Sequence, residues 1–244
     1  MKKITVFLAL AVLILVPSFS AFAEGVPVNV IKTLKSLPEE APVWEMDYEY
    51  PHLEGEDVTA VLINDYYSEA ANEMTALILP MLAGTPEAHG ASLRQMTQRF
   101  RVTCNNGRFF SVLFMTENRV NGESFLSLDS DTFDISGEYT GQILTLRGVV
   151  MVGESSAQLS SCLMPVLYER FADLQEQGIA DPELTEEDFY DIVFPESHFF
   201  ANEDGSVTFY FQPDVLEEPT FEVPCFTFTP KELESLINTQ PEDN

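Results

Sequence analysis

A sharp change of hydrophobic period between residues 44 and 83 constrains this chain more than any other feature. Trp44, Met46, Tyr48 and Tyr50 alternate with Glu45, Asp47 and Glu49, which puts rings on one face of a strand and carboxylates on the other. Pro51 ends that pattern. From Val58 to about Ala83 the spacing turns helical. Val58, Val61, Leu62, Tyr66, Ala70, Met74, Leu77, Ile78 and Met81 fall at three- and four-residue steps, and Gly84 and Pro86 supply stop signals. This predicts a helix lying on a sheet through that stripe. A second helical stretch is expected around Ala91 to Gln98.

Hairpins come next. Phe100 to Cys104 and Phe109 to Thr116 flank Asn105-Asn106-Gly107-Arg108, and Asn-Gly supplies the positive φ angles of a tight turn. Asn121-Gly122 marks another turn, leading into Ser124 to Leu128, and the β pattern continues through Phe133 to Ile135 and Gln142 to Leu146. Such a meander implies an antiparallel sheet. A long helix follows, opened by Ser155 or Ser156, striped by Leu159, Cys162, Leu163, Val166, Leu167, Phe171 and Leu174, and closed by Gly178. Pro165 inside it predicts a kink or break. Thr185 with Asp188 resembles the cap of a short helix through Val193. His198 to Ala201, Val207 to Phe211 and Phe221 to Phe228 read as strands, and Thr229-Pro230-Lys231-Glu232 opens a terminal helix.

The resulting order, β-α-βββ-α-βββ-α, is an α+β fold with antiparallel sheet(s) packed against two long helices, not a doubly wound parallel fold. The same reading divides the chain into a signal peptide (1–23), a Pro-rich leader or linker (24–42), an N-terminal α+β subdomain (43–152), a C-terminal one (153–238) and a tail (239–244). The signal peptide rests on Lys2 and Lys3, the apolar run Ile4 to Val16, the break at Pro17, and Ala21-Phe22-Ala23, with cleavage expected between Ala23 and Glu24. That apolar run is too short for a membrane span, which needs ~20 residues. Ala76 to Ala83, the most apolar later stretch, is shorter still and holds Pro80. An exported protein without a retained span is expected, periplasmic or secreted and wall-associated.

With 12 Lys+Arg against 40 Asp+Glu, the formal charge of −28 argues against binding a nucleic-acid backbone and against anionic membrane surfaces. It favours solubility or a basic partner. Cys104, Cys162 and Cys225, an odd number outside the cytoplasm, allow one disulfide plus a free thiol or three buried thiols. No CxxC occurs, so neither redox exchange nor structural zinc is indicated.

Catalytic signals are sparse, and no cofactor motif is present. Gly153-Glu154-Ser155-Ser156-Ala157 misses the nucleophile-elbow pattern at its last position, and the two serines read better as helix caps. His52, His89 and His198 are isolated, with none of the one-turn spacing that lets two imidazoles share a metal. Asp129-Ser130-Asp131-Thr132-Phe133-Asp134 begins like a calcium loop but has Phe133 at the fifth position and Asp134 where the turn Gly belongs. Glu186-Glu187-Asp188 reads as the acidic first turn of a helix. With so many carboxylates, a pair at any chosen separation carries little meaning. Most of the aromatic residues alternate within strands and so face a core.

Three stretches carry a resemblance. They are Tyr48-Glu49-Tyr50-Pro51 followed by Leu62-Ile63-Asn64, then Phe133-Asp134 with Gly141-Gln142-Ile143-Leu144-Thr145-Leu146, and Phe199-Phe200 through Asp204-Gly205 to Phe209-Tyr210-Phe211-Gln212-Pro213 and Phe221-Glu222-Val223-Pro224. In this order they resemble the extracytoplasmic domains of RsiV-type anti-sigma factors and the non-catalytic region of PdaC-like peptidoglycan deacetylases. The resemblance covers about residues 44–236. It implies an α+β ectodomain that binds rather than catalyses, as the RsiV region binds lysozyme. The sigma-binding and deacetylase segments of those families have no counterpart in this sequence, and no individual binding residue carries over. The expectation is therefore an exported binding module for a basic, lysozyme-like protein or a cell-wall glycan such as peptidoglycan. The alternatives are an envelope hydrolase or deacetylase with a dispersed metal site, and a structural envelope protein.

Overall fold

The computed structural model describes residues 25–38, 43–84, 93–150 and 156–238. Five strands form the first sheet in the order β1–β2–β3–β4–β5: β1 (Val28–Leu37), β2 (Trp44–Leu53), β3 (Arg94–Asn105), β4 (Phe109–Val120) and β5 (Glu123–Asp134). All neighbours are antiparallel except β2 and β3, which run parallel. A parallel pair needs a crossover. Here it contains α1 (Val58–Glu73), a π turn (Met74–Ile78) and α2 (Leu79–Ala83). β6 (Phe199–Ala201), β7 (Val207–Tyr210) and β8 (Cys225–Phe228) form a second, antiparallel sheet. The other helices are α3 (Leu146–Val150), α4 (Ser156–Glu176), α5 (Glu186–Ile192) and α6 (Pro230–Asn238). The architecture is α+β, with antiparallel pairing dominant and sheets packed on helices, as the periodicity predicts.

Local chemistry explains most boundaries. Asp57 caps α1, its Oδ1 accepting from the N–H groups of Thr59 and Ala60, both at 3.0 Å. Asn121 and Gly122 both take positive φ (55° and 87°), the conformation a two-residue hairpin between β4 and β5 requires. Thr185 and Asp188 form a reciprocal capping box on α5, and Thr229 and Glu232 do the same on α6. α4 runs unbroken through Pro165, where a kink or break is expected. An internal proline costs about 3 kcal/mol, but Leu159, Leu163, Leu167 and Phe171 on the same helix are essentially fully buried. At about 1.5–3 kcal/mol each, their burial outweighs it.

The two sheets meet through β4 and β5. The Ser111 hydroxyl accepts from the Ala201 N–H at 3.2 Å, Ser130 bonds the Phe199 carbonyl, and the Gln212 side chain brackets the Leu128 backbone with bonds of 2.9 and 2.7 Å. Leu113, Leu128, Phe200 and Tyr210 fill that interface. The largest core gathers α4, α5, α6 and the second sheet, and it takes in Cys104 and Phe109 from the β3–β4 hairpin.

Three expectations are corrected. Much of the stretch read as leader is β1, an edge strand. Its lysines and weak alternation conceal it, as charged edge strands do, and Lys32 is held by Asp47 at 3.0 Å. Residues 94–98 belong to β3, not to a helix, because Met96 and Gln98 register against Met46 and Tyr48. Gln142 to Leu146 makes only a single bridge, Ile143 to Phe133, before α3 begins. There the Asp134 carboxylate accepts from the N–H groups of Ser136, Gly137 and Tyr139, curling the chain away from the sheet.

Candidate functional site

The helix over the sheet is present, but its buried face is not the expected one. Ala60, Ile63, Tyr67 and Ala71 point into the core. Val58 (72% exposed), Val61, Leu62 and Tyr66 of the expected stripe face outward instead. α1 is apolar on two sides, so spacing alone does not select the packed one. The outward apolar ridge runs beside the outer strand of the sheet, where Phe125 (56%) and, after the strand, Ile143 are also exposed.

Between this ridge and β5 lies a patch of tyrosines and aspartates. Strand alternation puts Ser127, Asp129 and Asp131 of β5 on the helix-facing side, in rows with Thr116, Phe114 and Val112 of β4. Tyr48 sits on the same face of β2, opposite Gln98. The buried Tyr67 hydroxyl donates to Asp131 Oδ2 at 3.1 Å. The Tyr66 ring meets Tyr67 edge-on at 5.1 Å and Phe133 at 5.6 Å, which fixes its angle.

The electrostatics of this face are unusual for the molecule. On the opposite face of the same sheet, Asp47 pairs with Arg99 (2.7 Å) and Lys32, Glu49 lies 3.5 Å from both cations, and Glu117 pairs with Arg119 (2.8 Å). The hydrogen bond from Arg99 holds the Asp47 carboxyl below the usual range. On the helix-facing side, among the described residues, no Lys or Arg pairs with Asp129 or Asp131. Burial pushes the Asp131 carboxyl up to about 6, with the Asp129 charge adding to the effect against the Tyr67 bond. Asp129 is exposed, and desolvation by the protein beside it raises its carboxyl. The Tyr66 hydroxyl is raised to about 12 by burial and then by Asp131. A part-buried carboxylate such as Asp131 without a counter-cation is costly, and such groups cluster at sites that take a charged ligand or move protons.

The residues singled out from sequence fall elsewhere. His52 is exposed on β2. His198 is half-buried, stacked on Tyr210 (5.7 Å) and edge-on to Phe194, and burial lowers its pKa. Among the described residues no three His, Cys, Asp or Glu side chains are placed to hold a metal ion. The calcium-like run Asp129 to Asp134 is strand, not loop. Glu186-Glu187-Asp188 is the first turn of α5. Cys104 and Cys162 are buried free thiols and Cys225 is an exposed one. Ala23, Glu24, Pro86, His89 and Ser155 lie outside the described residues. Sequence reasoning missed Tyr66, Tyr67 and Asp131 as a group. The available signal was the Asp129, Asp131 alternation on a strand following a Tyr-Tyr pair in a helix.

The motifs behind the resemblance are architectural. Asn64 clamps the end of β2, giving and taking bonds with the Leu53 backbone at 2.9 and 2.8 Å. Phe133 packs under Tyr66 and Tyr67. Asp134 holds the following turn. Gly141 has φ of +78°, and a Cβ there would lie 2.5 Å from Leu62 Cδ1.

No helix among the described residues is long and apolar enough to cross a membrane. No family model and no curated protein matches the chain. Its fold is similar to the crystal structure of a DUF3298 family protein from Pseudomonas aeruginosa PAO1, with a TM-score of 0.53 and 13% identity over 86% of this chain and 94% of that one. A DUF3298 family member from Bacteroides fragilis NCTC 9343 aligns over 86% of this chain and 93% of its own at 11% identity, with a TM-score of 0.44. At 13% identity, the likeness to the Pseudomonas protein speaks for the fold alone.

Proposed function

We propose that this chain is an exported, non-catalytic binding module whose tyrosine–aspartate patch beside α1 and β5 receives a cationic side chain of a basic, lysozyme-like protein. The observation that carries this reading is Asp131, part-buried and bonded by the Tyr67 hydroxyl, with Asp129 exposed beside it and, among the described residues, no cation paired with either. A partner's Lys or Arg entering there gains charge-assisted hydrogen bonds, about 1.5–3 kcal/mol each, and cation–π contact with Tyr66, about 0.5–2 kcal/mol. The exposed ridge Val58, Val61 and Leu62 supplies apolar area around the charged anchor. A charge of −28 speeds encounter with a cationic partner. The resemblance to RsiV-type ectodomains supports binding over catalysis. A cell-wall glycan is the second reading, favoured by the exposed rings of Tyr66 and Phe125, which a sugar face can stack on.

The test is interferometry against a cationic lysozyme at low and physiological salt. Association should slow markedly with salt. Asp129→Asn with Asp131→Asn should weaken binding by about ten-fold or more. No complex at low salt, or full affinity in the double variant, refutes the reading. Retention by peptidoglycan with no lysozyme complex shifts the choice to the glycan.

A further inference from the structure

Beyond the tyrosine–aspartate patch, we infer that a groove between α4 and α6 is a binding site for a small amphiphilic anion. The cavity measures about 660 Å³ and is walled by Val166 and Arg170 of α4, Phe228 of β8, and Lys231 and Leu236 of α6. That volume falls within the range typical of small-molecule sites.

Its charge runs against the rest of the molecule. From Glu123 to the C terminus the only Lys or Arg residues are Arg147, Arg170 and Lys231, amid a large excess of carboxylates. Two of the three meet in this one groove. Carboxylates are close in sequence to both, Glu169 and Asp173 beside Arg170 and Glu234 beside Lys231. Yet among the described residues neither cation forms an ion pair. The carboxylate that does line the groove, Glu232, is turned back into its helix cap, accepting from the Thr229 N–H and hydroxyl at 2.7 Å each. The groove thus presents two free cations over an apolar floor of Val166, Phe228 and Leu236.

That pairing defines the ligand class. An anionic headgroup (carboxylate, sulfonate or phosphate) satisfies the Arg170 fork and the Lys231 ammonium. An apolar body then covers Val166, Phe228 and Leu236. A cationic or uncharged amphiphile gains only the second contribution.

The experiment is calorimetric titration of the intact protein with decanoate, decyltrimethylammonium and decanol below their aggregation limits. Backbone amide shifts map the site. Decanoate should bind saturably, with shifts on α4, β8 and α6, and the other two at least about ten-fold more weakly. Arg170→Gln with Lys231→Gln should weaken decanoate by a similar factor while leaving the circular dichroism unchanged, since both side chains are exposed. A single Arg170→Glu should weaken it as well, which guards against one variant failing to fold. Equal binding of decyltrimethylammonium, undiminished decanoate binding in the folded variants, or shifts confined to other surfaces overturns the inference.

Discussion

Replacing Asp131 by Asn should stabilise the protein near neutral pH, and the gain should fade in acid. The carboxyl ordinarily titrates at 3.8, and in the folded protein burial raises this to about 6. The folded state therefore holds the proton more tightly than the unfolded chain. Its contribution is favourable below the unfolded value and is lost as pH climbs between 3.8 and about 6. At 1.36 kcal/mol per pH unit of separation, ionisation costs the fold about 3 kcal/mol at pH 7 and only a few tenths near pH 4. Asn has nearly the same volume, never ionises, and offers a carbonyl to the Tyr67 hydroxyl that now bonds Oδ2 at 3.1 Å. Urea unfolding followed by Trp44 fluorescence should show Asp131→Asn more stable by about 2–3 kcal/mol near pH 7, or about 5–10 °C in Tm for a chain of this size. Near pH 4 the two proteins should be almost equal. A variant equally changed at both pH values, or destabilised at pH 7, refutes the claim that an ionised, half-buried carboxylate is held there. Stability gained at the expense of binding is the expected signature of a functional position.

Three further outcomes follow from named contacts. Tyr66→Ala should leave unfolding within about 1 kcal/mol, because the ring is 42% exposed. The same change should weaken lysozyme binding several-fold, as read by interferometry. Gln212→Ala leaves the Leu128 N–H and C=O without their side-chain partner, and urea unfolding should show a loss of about 1–3 kcal/mol. In thiol labelling, Cys225 should react in the folded protein while Cys104 and Cys162 stay protected until unfolding. Burial pushes the Cys104 thiol to about 12, so raising the pH modestly should not expose it to reagent.

What the sequence discloses is mostly local. The capping boxes at Thr185 and Thr229 and the Asn121-Gly122 turn need only neighbouring residues, and all three form as their side-chain chemistry dictates. Tertiary choices are harder. α1 has apolar residues on two faces, and only packing against Phe110, Val112 and Phe114 selects Ala60, Ile63 and Tyr67 over Val58, Leu62 and Tyr66. β1 is half-exposed at an edge, so it lacks the alternation that reveals β2. The tyrosine–aspartate patch is illegible for the same reason. Tyr67 and Asp131 are 64 residues apart and meet only once β5 is laid beside β4 under the helix. Among the motif residues, Asn64, Asp134 and Gly141 hold a strand end and turns, and Phe133 packs beneath Tyr66 and Tyr67.

Hydrogen–deuterium exchange of the full chain, with and without saturating cationic lysozyme at low salt, measures where a partner sits. Slower exchange should concentrate on the outer turns of α1 around Val58 to Tyr66 and on β5 from Phe125 to Asp131, and Asp129→Asn with Asp131→Asn should abolish it. Protection confined to other surfaces, or none under conditions where a complex forms, would contradict the assignment of this patch.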